Sequence, residues 1–171
     1  NTNNPVQSYI PIHEVFHNHP KYESTVERAK QLFLDGYIVS IGLSGKDSGA
    51  ASVCVVEGLR RAKLEQSNVG PLYIVTTNTG LDNMVLHDYM MQLHEDAYEY
   101  GRAHDLPIFT RELKPSFSNN PLVEYIGRGK LLRTPETSSK GRDCAVSWKI
   151  VPMKKYLKSL EKKHQTIKIL S

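Results

Sequence analysis

A chain of 171 residues, 39% hydrophobic and 23% charged, has the length of one domain and the makeup of a globular protein rather than a disordered or fibrous one. It has no run of about 18 apolar residues such as a membrane span needs, and the opening Asn1-Thr2-Asn3-Asn4-Pro5 lacks the basic-then-apolar order of a secretory leader. With two cysteines, Cys54 and Cys144, no disulfide framework is indicated and a reducing cytoplasm is expected. The net charge of +4 is unevenly spread: residues 1–125 carry 10 Lys/Arg against 15 Asp/Glu, a net of −5, and residues 126–171 carry 12 against 3, a net of +9. That basic segment predicts contact with a polyanion, either nucleotide phosphates or a nucleic-acid backbone. A solvated face on the last helix accounts equally well for Lys154, Lys155, Lys158, Lys162 and Lys163 taken alone.

Residues 1–20 read as a loop-like extension broken by Pro5, Pro11 and Pro20. His13-Glu14-Val15-Phe16-His17 fits the H-E-x-x-H metalloprotease pattern, but two prolines leave barely two helical turns and no third ligand follows, so a short packing turn is expected there. A helix from Tyr22 to Asp35 follows, with Val26, Ala29, Leu32 and Phe33 at helical spacing and Gly36 as its stop.

Next comes Tyr37-Ile38-Val39-Ser40-Ile41-Gly42-Leu43-Ser44-Gly45-Lys46-Asp47-Ser48. A β-branched run breaks at Gly42 and passes through small residues into a helix, which is a strand–loop–helix phosphate cradle. The unpaired N–H groups of the helix start and its dipole favour an anion. Ser44 and Ser48 supply hydroxyls, Lys46 a cation, and Asp47 an N-cap acceptor or a contact to Mg²⁺. The spacing does not fit the Walker A pattern, so a different mononucleotide site is indicated.

These residues resemble the PP-loop of the N-type ATP pyrophosphatases, Ser-Gly-Gly-x-Asp-Ser. Within that superfamily the chain is similar to the phosphoadenylylsulfate (PAPS) reductase-like branch, and there to the sulfurtransferase components of DNA phosphorothioation systems. One glycine of the pattern is missing here, or, aligned without a gap, Leu43 and Ser44 stand where Ser and Gly are usual.

On the helix after the loop, Ala51, Val55, Leu59 and Ala62 predict the buried stripe, with Cys54 beside them as core filler. Gly70-Pro71 leads into a second strand, Leu72 to Thr76, ending in Thr77-Asn78-Thr79-Gly80-Leu81-Asp82. Ligands of open α/β sheets sit at the carboxyl ends of strands, so this turn faces the same crevice as the loop. Relatives carry Asp-Thr-Gly there; Asn78 removes the carboxylate and leaves adenosine or ribose contact open. A long helix from about Asp82 to His104 carries Met84, Leu86, Tyr89, Met90, Leu93, Ala97 and Tyr100 as its apolar set, while His87 and His94 lack a third ligand for a metal. Leu106 to Leu113 is the third strand, and the strand–helix alternation implies parallel pairing.

A short helix, Pro121 to Gly129, precedes a long basic loop, Lys130 to Arg142, expected to act as a lid or polyanion contact. It ends in Arg142-Asp143-Cys144, followed by Lys149-Ile150-Val151-Pro152, similar to the Arg-x-Cys and Lys-Ile-x-Pro of the same families. A thiol between Arg142 and Lys149 is in a setting that favours thiolate; a structural cysteine anchoring Trp148 is the plainer alternative. A helix from Pro152 to Lys163 and a strand from Thr166 to Leu170 complete the chain.

The expected fold is a three-layer α/β/α domain with a mostly parallel sheet of four or five strands, residues 1–21 forming an extension and 22–171 a PP-loop domain cut short at its C-terminal end. The resemblance implies ATP cleavage between the α and β phosphates with Mg²⁺, adenylating an acceptor for sulfur incorporation. It assigns Lys46, Asp47, Arg142, Cys144 and Lys149 to catalysis and Asp47 to Mg²⁺. Nucleotide contacts fall on Ser40, Gly42, Leu43, Ser44, Gly45, Lys46, Asp47, Ser48, Thr77, Asn78, Thr79 and Gly80. The partners implied are DNA, through the basic 126–171 segment, and a cysteine desulfurase as sulfur donor. An iron–sulfur cluster is not expected, since two cysteines fall short of four ligands. Reduction of PAPS or adenylylsulfate is one alternative, although the cysteine-bearing tail it uses is not seen; a non-catalytic ATP-binding sensor or scaffold is the other.

Overall fold

A computed structural model describes residues 19–131 and 146–164. Within them the chain runs α1 (Pro20–Leu34), β1 (Val39–Gly42), α2 (Lys46–Glu65), β2 (Leu72–Thr77), α3 (Met84–Ala103), β3 (Ile108–Leu113), a 3-10 turn (Phe117–Asn119), π-wound turns at Val123–Gly127 and Val146–Ile150, and α4 (Val151–His164). The three strands pair in parallel in the order β1-β2-β3, with Val39 opposite Leu72 and Leu72 opposite Ile108. Parallel pairing of successive strands demands a crossover, and α2 and α3 provide the two. The sheet thus has three strands among the described residues against the four or five expected. The strand expected from Thr166 to Leu170 lies outside them, as do His13 to His17, Arg142 and Cys144.

Alternation along the strands sends side chains to two cores. Val39, Leu72, Ile74 and Ile108 join Phe33, Leu59, Ala62 and Met90 beneath the first three helices. Ile38, Tyr73 and Val75 face the other way and pack on Leu160, Met153, Tyr156 and Leu157 of α4. Strands buried on both faces explain why β2 is an unbroken apolar run rather than an alternating one.

Several boundaries differ from expectation for identifiable reasons. The first helix begins at Pro20, not Tyr22: proline lacks the N–H that the first helical position leaves unused anyway, so it starts this helix rather than breaking it. The expected stop at Gly36 holds, its φ of +78° closing the turn with an N–H bond to the Phe33 carbonyl. Of the expected stripe of α2, Leu59 and Ala62 are buried and Val55 packs against the core, whereas Ala51 is exposed; Glu57 and Gly58 are buried as well. Glu57 tolerates burial because Arg60 and Arg61 both bond its carboxylate at 2.8 Å, and Arg61 reaches on to Glu23 of α1 at 2.7 Å. Burial pushes the Glu57 carboxyl up, but its two guanidinium partners pull it net below the usual carboxylate range. Cys54 is half-buried and burial raises its thiol pKa, which suits a packing role.

Helix α3 starts at Met84 with Asn83 as cap, its side chain accepting the Val85 N–H at 2.9 Å. Replacing Asn83 by alanine is expected to cost about 1 kcal/mol in urea denaturation. Met84, Leu86 and Tyr89 of the expected apolar stripe are exposed, because the first turns of α3 overhang the strand ends; Met90 is the first residue to reach the core.

Candidate functional site

The loop after β1 is built as a helix cap. Leu43 continues the sheet, its N–H bonding the Val75 carbonyl at 2.8 Å, and its side chain is buried, so it anchors the loop from below. Gly45 is the cap residue and has no side chain to occupy the first turn of α2. The N–H groups of Lys46, Asp47 and Ser48 are therefore left without intrahelical acceptors, as at any helix start. Ser48 takes a part that sequence did not assign. Its hydroxyl accepts the N–H groups of Ser44 (2.9 Å) and Gly45 (3.0 Å) and donates to the Gly45 carbonyl (2.9 Å). The hydroxyl thus fills the outer half of the cradle from within, and an anion there would have to draw those donors from it. Lys46 and Asp47 are exposed and, among the described residues, neither forms an ion pair.

The turn after β2 is a separate network. Asn78 accepts the Gly80 N–H on its side-chain oxygen at 2.8 Å, and Gly80 takes a φ of +78°, open to glycine at no steric cost. Thr79 is buried and bonds Asp82 through both its N–H (3.1 Å) and its hydroxyl (2.8 Å). Asp82 also faces Lys149, Nζ to Oδ1 3.6 Å. Burial pushes the Asp82 carboxyl up, but the Thr79 donors and Lys149 hold it below its ordinary range, so it is a carboxylate that locates the lysine.

Behind the turn, Thr76 donates its hydroxyl to the Leu43 carbonyl at 3.1 Å and lies 2.8 Å from Nε2 of buried His94. One hydroxyl hydrogen serves one acceptor, so His94 must donate Nε2–H to Thr76. Burial lowers the His94 pKa and keeps the ring neutral, which suits that role. Glu112 of β3 accepts from Asn78 (2.7 Å) and His87 (2.9 Å), locking strand, turn and helix together. The hydrogen bond to Glu112 raises the His87 pKa, with Asp88 adding to it.

That tie has a pH signature. Stability from a raised histidine pKa is fully present below the unfolded value of about 6.5 and is lost as pH rises through the folded value. Glu112 is shifted the other way: burial raises it, but His87, Asn78 and Lys114 bring it net down, so its share is lost only as acid protonates it. The stability difference between the parent and His87→Gln is expected to be larger at pH 5.5 than at pH 8.5, about a unit below and two above that value. His94 titrates oppositely but cancels in this difference; guanidinium denaturation at the two pH values checks it.

The structure gathers Leu43, Ser44, Thr77, Asn78 and Lys149 around one cleft at the carboxyl ends of β1 and β2, together with Thr76, Asp82, Leu86, His87 and Met90. Thr79 and Gly80 belong to the turn beside it, and Gly45, Lys46, Asp47 and Ser48 follow Ser44 in the loop but are not among its lining residues. Ser40 and Gly42 stay within the strand and neither lines the cleft; a Cβ added at Gly42 would meet Met153 of α4 instead. The cleft encloses about 30 Å³, room for little more than one water, so a nucleotide would lie over the loop and turn rather than inside. Sequence reading missed Asp82, Glu112 and the parts played by Thr76, His87 and His94. Only Asp82 had a local signal, three residues after Thr79.

For Mg²⁺ the fit is a single exposed carboxylate, Asp47, in the first turn of α2, a ligand that magnesium can share with phosphate oxygens and water. No group of three metal-ligating side chains exists among the described residues. None of the described helices is long and apolar enough to cross a membrane. Comparison with protein-family models, with curated proteins and with solved structures finds no match to this chain.

Proposed function

We propose that this chain is a PP-loop ATP pyrophosphatase of the reducing cytoplasm that transfers AMP to an acceptor, releasing pyrophosphate, so that sulfur can enter the acceptor, a DNA backbone phosphate. The observation that carries the reading is the placing of the Ser44–Ser48 loop at the end of β1, beside the Asn78–Gly80 turn at the end of β2, with Lys149 held over the same cleft by Asp82. The wider fold belongs to the reading as well: a sheet extended to four or five strands, of the adenine nucleotide alpha hydrolase kind.

In this mechanism the free N–H groups of Lys46, Asp47 and Ser48 take the β and γ phosphate oxygens, and the Lys46 ammonium neutralises the charge that grows on the departing pyrophosphate. Magnesium, when bound at Asp47, supplies further charge neutralisation of the phosphates. The Asn78–Gly80 turn, rigid through Glu112 and Asp82, borders the adenosine. Lys149 stabilises charge at the α phosphate as the acceptor oxygen bonds to phosphorus and the bond to the β-phosphate bridge breaks. Arg142 and Cys144 enter as acceptor clamp and sulfur carrier, with a cysteine desulfurase as donor.

The test is pyrophosphate release from ATP and Mg²⁺ with and without duplex DNA. Stimulation by DNA supports the acceptor; pyrophosphate indifferent to DNA removes it. A second reading, ATP binding without turnover, is favoured by the narrow cleft and by the Ser48 hydroxyl occupying two loop donors. Tight ATP binding with no product would establish it. Sulfite released from PAPS would point to the reductase instead.

A further inference from the structure

A larger cavity, about 330 Å³, lies on the opposite face of the sheet from the strand-end cleft, between the segment leaving β3 and the start of α4. Its floor is apolar, formed by Leu113, Pro152 and Tyr156, of which Leu113 and Tyr156 belong to the core under α4. Its polar lining is Lys114, Lys155, Ser116, Asn119 and Ser147, and no carboxylate stands among the described lining residues. Glu112, the nearest acid in sequence, turns its Oε1 to His87 and Asn78, leaving only a 3.6 Å approach of Oε2 to Lys114. Lys155 has no ion-pair partner among the described residues. A cavity of this size is in the range of small-ligand sites, and two lysines, two hydroxyls and an amide beside an apolar floor suit an anionic group carried on an apolar body.

We propose that this cavity is a second ligand site, for a small organic phosphate or sulfonate with a compact apolar body. The body lies on Leu113, Pro152 and Tyr156, and the anion is held by Lys114 and Lys155 with Ser116 and Ser147 donating. The site does not depend on the ATP reading. Ser147 and Lys149 share the single turn Val146–Ile150, so an occupant is felt at Trp148, the only tryptophan of the chain, which is buried between them.

Phenyl phosphate is the probe, titrated into the full chain without ATP while Trp148 fluorescence and the amide resonances of Ser116 and Ser147 are followed. Saturable changes are expected, with phenol and inorganic phosphate each binding at least about ten-fold more weakly. The double variant Lys114→Met, Lys155→Met should weaken phenyl phosphate by about ten-fold or more, while Lys158→Met, on the exposed side of α4, should not. Both lysines are exposed, so the variants are expected to fold, and the amide shifts of the parent test the site even if one does not. Absence of saturation at Ser116 and Ser147, equal affinity in the double variant, or inorganic phosphate binding as well as phenyl phosphate would overturn the proposal.

Discussion

Lys46→Ala is expected to slow pyrophosphate release from ATP by at least about a hundred-fold while leaving the fold intact, the scale of losing one preorganised charge-stabilising donor. Lys46 is the first residue of α2, exposed, and the one cation between Leu43 and Ser48, so in the proposed reaction it is the loop's own countercharge to the leaving pyrophosphate. The dipole of a 20-residue helix and its free N–H groups remain in the variant and should preserve part of the binding. The loss should therefore fall mainly on kcat rather than KM, the mark of an interaction made chiefly in the transition state. Far-UV circular dichroism and urea denaturation would check the fold. A loss below about ten-fold would mean that the loop does not face the reacting phosphates.

The largest expected stability effect lies at Gly58, where α1 and α2 cross. A Cβ there would sit 2.7 Å from Ala29 Cβ, 2.9 Å from the Lys30 nitrogen and 3.0 Å from the Val26 oxygen. Two of those atoms are backbone, so relief requires the helices to separate, disturbing Val26 and Phe33, which are fully buried. Intrinsic propensity favours alanine over glycine within a helix by about 1 kcal/mol. Overpacking of about 1–3 kcal/mol opposes it, and the clash with backbone puts this site at the upper end. Gly58→Ala should thus be net destabilising by about 1–2 kcal/mol, and Gly58→Leu by about 3 kcal/mol or more. Urea denaturation should show midpoints falling in that order with little change in slope. A stabilised alanine variant would contradict the close crossing.

What could be read from sequence is what neighbours in the chain decide. The β-branched run at β1 and the apolar run at β2 lie between glycine and proline breaks, and the strand–loop–helix passage at Leu43–Ser48 is written in six consecutive residues. Arg60 and Arg61 stand three and four positions after Glu57, so part of that network was visible as helical spacing. Its continuation to Glu23 of α1 was not, because it depends on how two helices cross. The same holds for Lys149 and Asp82, which meet only after three strand–helix units have folded, and for Glu112, which reads as an ordinary exposed strand residue until His87 and Asn78 arrive. The exposed first turns of α3 escaped a periodicity argument for a related reason. Leu86 has the helical spacing to join Met90 and Leu93, but it borders the cleft at the strand ends and stays exposed.

Which bond of ATP breaks can be measured directly by incubating the chain with α-labelled ATP and Mg²⁺ and separating the labelled products. Label is expected in AMP or in an adenylated acceptor, with pyrophosphate formed in equal amount and both lost in Asp47→Ala. Label in ADP, with free phosphate as the partner product, would contradict cleavage between the α and β phosphates.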